Sequence, residues 1–316
     1  MVPKFSVIIP LYNKERDIEK TLRSVFLQSE PDFELLLVND GSTDGSEAIV
    51  TGYKDSRIRY FSKANEGVAR TRNFGVEKAS AAHIAFLDAD DYWHPNHLEN
   101  LNSLIEDFPQ ALWYATAYEK KHNRTLITPM ISPILDPSLK WQGPVDNYFK
   151  YSLIDALAWT SAVCFKKTFF EELNGFDPTI THGAGEDTDL WIRAALRSPL
   201  VFSTKITARH NLDGSNRISN LPTRTRNYMD PAVYEDKAAQ DPYLKRYLDL
   251  NRYSFAIQHR LAGDELSFKK YVEGLNSNNL TARQRYLLKQ PKTMLRLLIK
   301  SKAFAEGLGL RLTSFK

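Results

Sequence analysis

In the stretch FLDADDYW, residues 86–93, three carboxylates (Asp88, Asp90 and Asp91) stand directly behind the apolar run His83–Leu87. Like charges this close repel, and a carboxylate is costly to bury unless it is paired, hydrogen-bonded or metal-bound. Two outcomes follow from that cost. One is a solvated turn in which Asp91 caps the next helix. The other is a divalent-cation site: Asp88-x-Asp90 offers hard oxygen donors to an ion and, through the ion, holds a diphosphate. A second acidic group, Glu186-Asp187 with Asp189, follows the glycine-bearing loop HGAG. Acids at a helix start also suit its positive end, so a charge at the helix terminus is the competing reading there.

Other polar groups behind apolar runs extend the set. Tyr12-Asn13 follows FSVIIP, and Asn39-Asp40-Gly41-Ser42 follows FELLLV. Tyr12 would stack on a planar ring or cap a sheet. Asp40 would accept a hydrogen bond from a base or sugar, or form an Asx turn with Gly41-Ser42. Arg70, in NEGVARTRN, would contact phosphate oxygens or project into solvent. Alternative chemistries lack their signatures. There is no GxGxxG or GxxxxGK[ST] loop, no GxSxG elbow, and the single cysteine, Cys164, reads as a small core residue.

These groups need elements to position them. A β-branched apolar run at 5–10 and further strand-like runs at 33–38, 58–62, 83–88 and 111–118 alternate with helical spacing at 14–28 (Ile18, Leu22, Val25, Phe26), around 48–50, at 68–79 and at 95–108. This alternation predicts an α/β fold with a doubly wound, mostly parallel sheet. Ligands in such sheets bind beyond the carboxyl ends of the strands, so Tyr12-Asn13, Asn39–Ser42 and Asp88–Asp90 are expected to line one crevice. Residues 119–160 read as an irregular excursion over it, followed by a strand at 161–165, a helix at 167–173, a helix opening at Glu186 and the strand VFSTKITA. From about residue 222 the pattern turns to polar helices without strand signals. The expected domains are therefore 1–220, catalytic, and 221–316, a helical extension.

Composition bounds the function. The net charge of +4 is too small to imply nucleic-acid binding. The apolar N-terminal run is short and interrupted by Pro10, and no stretch approaches the ~20 apolar residues of a membrane span, so the expectation is a cytoplasmic protein. The tail ARQRYLLKQPKTMLRLLIKSKAF interleaves Arg283, Arg285, Lys289, Lys292, Arg296, Lys300 and Lys302 with leucines and contains no acid. It reads either as a packed basic helix or as a contact with an anionic membrane surface.

Taken in order, FSVIIPLYNKERDIEKTLRSVFLQ, LLLVNDGSTDGS, NEGVARTRNFGVEKA, FLDADDYW and GEDTDLWIR resemble the successive blocks of family 2 glycosyltransferases with the GT-A fold, over about residues 4–215. The resemblance implies an inverting, nucleotide-sugar-dependent, metal-dependent transferase. It assigns Pro10, Tyr12, Asn13 and Asp40 to the base and ribose, and Asn65, Arg70 and Asn73 to a segment near the nucleotide. Asp88-Ala89-Asp90 matches the D-x-D motif that meets ribose and a Mn²⁺- or Mg²⁺-bound diphosphate, and Asp91 extends it. Glu186-Asp187 matches the E-D motif, whose aspartate usually acts as the base. His210 falls where some GT-A enzymes complete the metal shell. The family most often uses UDP-sugars, with glycan or lipid-linked acceptors in surface polysaccharide or glycoconjugate biosynthesis. Two rival readings are a sugar nucleotidyltransferase and a degenerate sugar-nucleotide-binding protein. The first would need a glycine-rich phosphate loop that PLYNKERD lacks, and the second is at odds with the intact acids.

Overall fold

The computed structural model of the chain describes residues 2–136, 140–216 and 222–307, the last six by backbone alone. They fold as two compact units. The first gathers residues from 1–151, 155–220 and 227–229, and the second those from 152–154, 221–226 and 230 onward.

The first unit opens with β1 (Phe5–Leu11), α1 (Ile18–Phe26), β2 (Phe33–Asp40), α2 (Ser46–Gly52), β3 (Ile58–Lys63), α3 (Val68–Lys78) and β4 (His83–Phe86). These strands lie in the order β3-β2-β1-β4, all parallel. Helices cover both faces of such a sheet, which is why β1 and β2 are apolar almost throughout rather than alternating. Helix α3 packs so close to β1 that a Cβ on Gly75 would fall 2.5 Å from Ile8 Cγ2. Helix α1 starts later than its periodicity predicts because the preceding backbone is committed elsewhere. The N–H groups of Asn13, Lys14 and Glu15 donate to Ser42 Oγ (3.1 Å), Ser46 Oγ (2.7 Å) and Asp44 Oδ2 (3.1 Å), tying the loop after β1 to the loop after β2.

Next come β5 (Tyr92–Trp93), α4 (His97–Asp107), β6 (Trp113–Lys121), β7 (Ile127–Pro129), β8 (Gln142–Pro144), α5 (Tyr148–Tyr151), β9 (Val163–Lys166), α6 (Lys167–Glu172), α7 (Glu186–Ala195) and β10 (Val201–Asn211). The sheet continues β4-β9-β6-β10-β5. Strands β6 and β10 are parallel, whereas β9 runs antiparallel to both β4 and β6. A parallel return would need a covering crossover helix. Among the described residues, the excursion from 122 to 162 supplies the short β7, β8 and α5 and a 3-10 turn at Thr160–Ala162, none long enough to cover such a crossover, so β9 enters the sheet in the opposite sense. Phe165 of β9 stacks with Trp113 (5.6 Å between ring centroids) and Trp191 (5.7 Å), forming an aromatic core beneath α7. Cys164 beside it is fully buried and burial pushes its thiol up, as suits a core residue rather than a nucleophile.

The second unit is helical among the described residues: α8 (Glu235–Ala238), α9 (Pro242–Ala262), α10 (Glu265–Glu273), α11 (Ala282–Leu288) and α12 (Lys292–Gly307). Asp241 caps α9 by accepting the N–H groups of Tyr243 (2.8 Å) and Leu244 (3.1 Å), with Pro242 in the first helical position, and Gly263 ends the helix. A capping box between Thr281 and Gln284 starts α11.

Candidate active site

The Asp88–Asp91 segment is a tight turn between β4 and β5, closed by Asp91 N–H donating to the Asp88 carbonyl (3.0 Å). Each carboxylate has its own partner. Asp88 Oδ1 accepts Arg72 Nη2 at 2.5 Å, and Asp90 Oδ2 accepts Lys14 Nζ at 2.7 Å. Lys14 also donates to the Ser215 carbonyl at 2.6 Å, binding the segment after β10 to the turn. Asp91 is buried and turned inward, accepting Ser161 Oγ (2.7 Å) and the Asn211 N–H (3.0 Å). Burial, with the charges of Asp90 and Asp88 beside it, pushes its pKa well above the usual carboxylate range. Asp91 therefore neither caps α4 nor joins the open acid pair. It locks the turn to β10. Ser161 completes the clamp by accepting the Asp88 N–H at 3.1 Å.

The expected crevice residues assemble at the same sheet edge. Asn13 Oδ1 accepts the Thr43 N–H (2.7 Å), joining the ends of β1 and β2. The tight turn is made by Asn39, whose Oδ1 accepts the Ser42 N–H at 2.9 Å, and not by Asp40. Asp40 is buried and instead gathers Lys63 and the N–H groups of Glu66 (3.0 Å) and Gly67 (2.9 Å). Asn65 Nδ2 donates to the Asp40 carbonyl (2.9 Å), so the loop before α3 is built onto the end of β2. Pro10 lies in β1 opposite Val38, and the Tyr12 ring just beyond the strand is 41% exposed. Asn73, expected in the segment near the nucleotide, has a structural contact of its own. Its amide is occupied on both sides by Phe176, donating to the carbonyl (2.8 Å) and accepting the N–H (3.0 Å), which makes it a strut between α3 and the segment before α7. Arg70 is exposed.

The glycine-bearing loop reaches α7 through left-handed residues His182, Gly183 and Gly185. At Gly185 a side chain is excluded twice, by φ of 105° and by Met229 Cγ, 2.8 Å from where a Cβ would sit. The helix then begins on Glu186, whose carboxylate is buried 3.7 Å from Arg72 Nη1. Burial raises the Glu186 pKa to about 7, the Asp187 charge adds to this, and Arg72 pulls the other way. Asp187 is partly exposed, and its Oδ1 accepts the Thr188 N–H at 2.6 Å. Asp189 is spent on Arg193 at 2.7 Å. Leu190 and Ala194 face the core, and Ala195 is half-buried.

The metal expectation divides. The His210 ring stacks on Trp159 (4.8 Å between centroids), and among the described residues no three His, Cys, Asp or Glu side chains converge as a protein-only metal shell would. Asp88 and Asp90 still fit the share a protein supplies to a Mg²⁺- or Mn²⁺-type ion, since one or two carboxylates suffice when diphosphate oxygens complete the shell. Asp88 Oδ2 has no partner among the described residues.

The sequence reading passed over Arg72 and Lys14. Arg72 had a signal: it lies three residues after Ala69 and four before Val76, on the buried stripe of α3, while Arg70 is turned about 200° away. Lys14 had none, since its partner Asp90 is 76 positions along the chain. Glu186 carries a pH signature. Its pKa is raised on folding, so the native state holds a proton that the unfolded chain releases, and its contribution to stability falls as pH rises from about 4.5 to about 7. Glu186→Gln is expected to remove this loss, so that its melting temperature relative to the parent protein is higher at pH 8 than at pH 4.5. A constant difference across that range would rule the effect out.

Similarity to known proteins bears on the family and the fold. The family model described as glycosyl transferase family 2 matches residues 6–171, just over half of the chain. A glycosyltransferase of Rickettsia felis is 29% identical over 77% of the chain, and one of Rickettsia bellii 32% identical over 70%. EpsJ of Bacillus subtilis, also a glycosyltransferase by name, is 43% identical over 41% of the chain. The chain spans only 38%, 30% and 38% of the lengths of these three relatives. Among solved structures, S. aureus TarS 1-349 superposes with a TM-score of 0.62 at 19% identity, covering 96% of this chain and 92% of that one, which is a likeness of fold. The chain belongs to glycosyltransferase family 2 and has that family's mixed α/β architecture, with a mostly parallel sheet.

Proposed function

We propose that the protein is an inverting glycosyltransferase that moves a sugar from a nucleotide-sugar, a UDP-sugar in the first instance, to a hydroxyl of a glycan or lipid-linked saccharide in surface polysaccharide or glycoconjugate biosynthesis. The observation that carries the reading is the meeting of two acidic motifs at one sheet edge: Asp88 and Glu186 share the guanidinium of Arg72. The donor choice is supported by S. aureus TarS, which has been crystallised with UDP-GlcNAc and with UDP.

In this reading Tyr12, Asn13, Asp40 and Asn65 border the base and ribose, with Asp40 fixing the loop that closes over them. Asp88 and Asp90 hold Mn²⁺ or Mg²⁺, which when bound neutralises charge on the departing diphosphate. Asp187 is the base. Its Oδ1 is fixed by Thr188, and Oδ2 has no partner among the described residues. That oxygen takes the acceptor hydroxyl proton as the acceptor oxygen bonds to the anomeric carbon, the bond from that carbon to the diphosphate breaks, and nucleoside diphosphate leaves from the opposite face.

Nucleotide binding stabilises the fold by mass action, so UDP and UDP-GlcNAc should raise the melting temperature, and more so with Mn²⁺ present. Asp90→Asn should abolish the Mn²⁺-dependent part. Persistence of that part in the variant would reject Asp90 as a ligand. Asp187→Asn should keep folding and donor binding while lowering turnover at least ~10²-fold, the scale of a lost general base. Near-normal transfer by Asp187→Asn, with loss in Glu186→Gln, would show that the other acid is the base.

Among the described residues no helix is long and apolar enough to cross a membrane. The reading of a cytoplasmic protein held at the inner face of the plasma membrane rests on α12. Met294, Leu297, Leu298 and Ile299 are exposed there, Leu295 alone of its apolar arc is buried among the residues whose side chains are described, and Lys292, Arg296 and Lys300 border the arc. Lys302 lies outside the residues whose side chains are described. In liposome flotation the protein should rise with vesicles rich in anionic lipid and not with neutral ones. Equal behaviour toward both would reject an electrostatic anchor.

A further inference from the structure

Arg72 is not satisfied as a settled buried ion pair would be. Its side chain is buried on α3, with the guanidinium 5.1 Å from the centroid of the Phe176 ring. Nη2 holds Asp88 at 2.5 Å, while Nη1 stands 3.7 Å from Glu186 Oε1, beyond hydrogen-bond reach. Arg72 Nε and Nη1 and Glu186 Oε2 are all buried without a hydrogen-bond partner. Buried donors and acceptors left open in this way are costly, and native proteins keep few of them. Here an unpartnered donor of Arg72 on α3 stands across from the Glu186 carboxylate on α7, over a gap that a small shift of the guanidinium would close. Arginine suits this position because its fork carries five N–H donors that can serve two carboxylates at once, which an ammonium cannot do with the same geometry.

We propose that Arg72 is a positioning residue that couples the two acidic motifs, its guanidinium passing between Asp88 and Glu186 according to what binds at Asp88. The proposal rests on the donor-binding role given to Asp88 above. When the donor side engages Asp88, the guanidinium loosens there and closes on Glu186, fixing the first turn of α7 and with it Asp187. Occupancy of the donor site would thus set the geometry of the base. A coupling of this kind is reciprocal, so a change at Glu186 must be felt in nucleotide affinity.

The test is a double-mutant cycle read by calorimetric titration of UDP in the presence of Mn²⁺. Glu186→Gln leaves Arg72 with Asp88 as its one charged partner, so the guanidinium commits to that acid and UDP affinity should fall about fivefold, the low end of measured couplings. In an Arg72→Met background the same change should alter affinity less than about twofold, because the shared group is gone. Arg72→Lys serves if Arg72→Met does not fold, and should uncouple the acids in the same way. An equal effect of Glu186→Gln in both backgrounds, or none in the parent, overturns the proposal, since a merely structural arginine would not carry a change from Glu186 to the nucleotide. If the parent protein does not bind UDP, the donor reading has failed instead. The cycle is then read on thermal unfolding, where non-additivity of the two substitutions supports the shared guanidinium and additivity overturns it.

Discussion

Mutual repulsion among three carboxylates in one turn is the constraint around which the first unit is organised. It is met by division: Asp88 is given to Arg72, Asp90 to Lys14, and Asp91 to Ser161 and the Asn211 backbone. These partners come from α3, the loop after β1, the segment before β9 and the end of β10, so discharging the turn draws four separate parts of the chain to one point. The arrangement also separates roles. A buried carboxylate near two others tends toward neutrality, and Asp91 takes that place, while the two acids left at the rim keep cationic partners.

Much of this was legible in the sequence. The strands β1 to β4 announce themselves as short runs of apolar and aromatic residues, and their parallel order makes the positions after them converge. What stayed hidden was of two kinds. The sense of β9 depends on what the preceding 41 residues do not form, and a short apolar run carries no arrow of direction. The partners within the site depend on contacts far apart in sequence: Lys14 with Asp90, Ser161 with Asp91, Asn73 with Phe176. Arg72 is the instructive exception. Helical phase alone separates it from Arg70, and a buried arginine asks at once for a buried acid.

The second unit solves a similar problem by a denser network. Asp249, fully buried on α9, accepts Lys245 (2.9 Å) and Asn279 (2.7 Å), and Arg252 one turn away pairs with Glu235 at 2.5 Å. Around it, Leu250, Tyr253 and Leu280 make a small apolar cluster with Leu287 and Leu288 beside it. A buried, hydrogen-bonded charge of this sort fixes the register of helices more than it adds to stability, because removing either partner strands the other away from water. The polar character of this part of the sequence thus has a structural use.

The reversed strand β9 has a consequence for how such a chain can change over time. The four parallel strands β1 to β4 are complete by residue 86, and nothing inserted after them alters their register. Among its described residues, the stretch between β6 and β9 meets the sheet through the three-residue strands β7 and β8 and through Tyr148, Asp155, Ala156 and Trp159, which contact side chains of β6 and β10. Between these contacts, length and composition can drift while β9 still closes against β4. The half built on β1 to β4 and the stretch that follows β6 meet at Ser161, which holds both to the same turn.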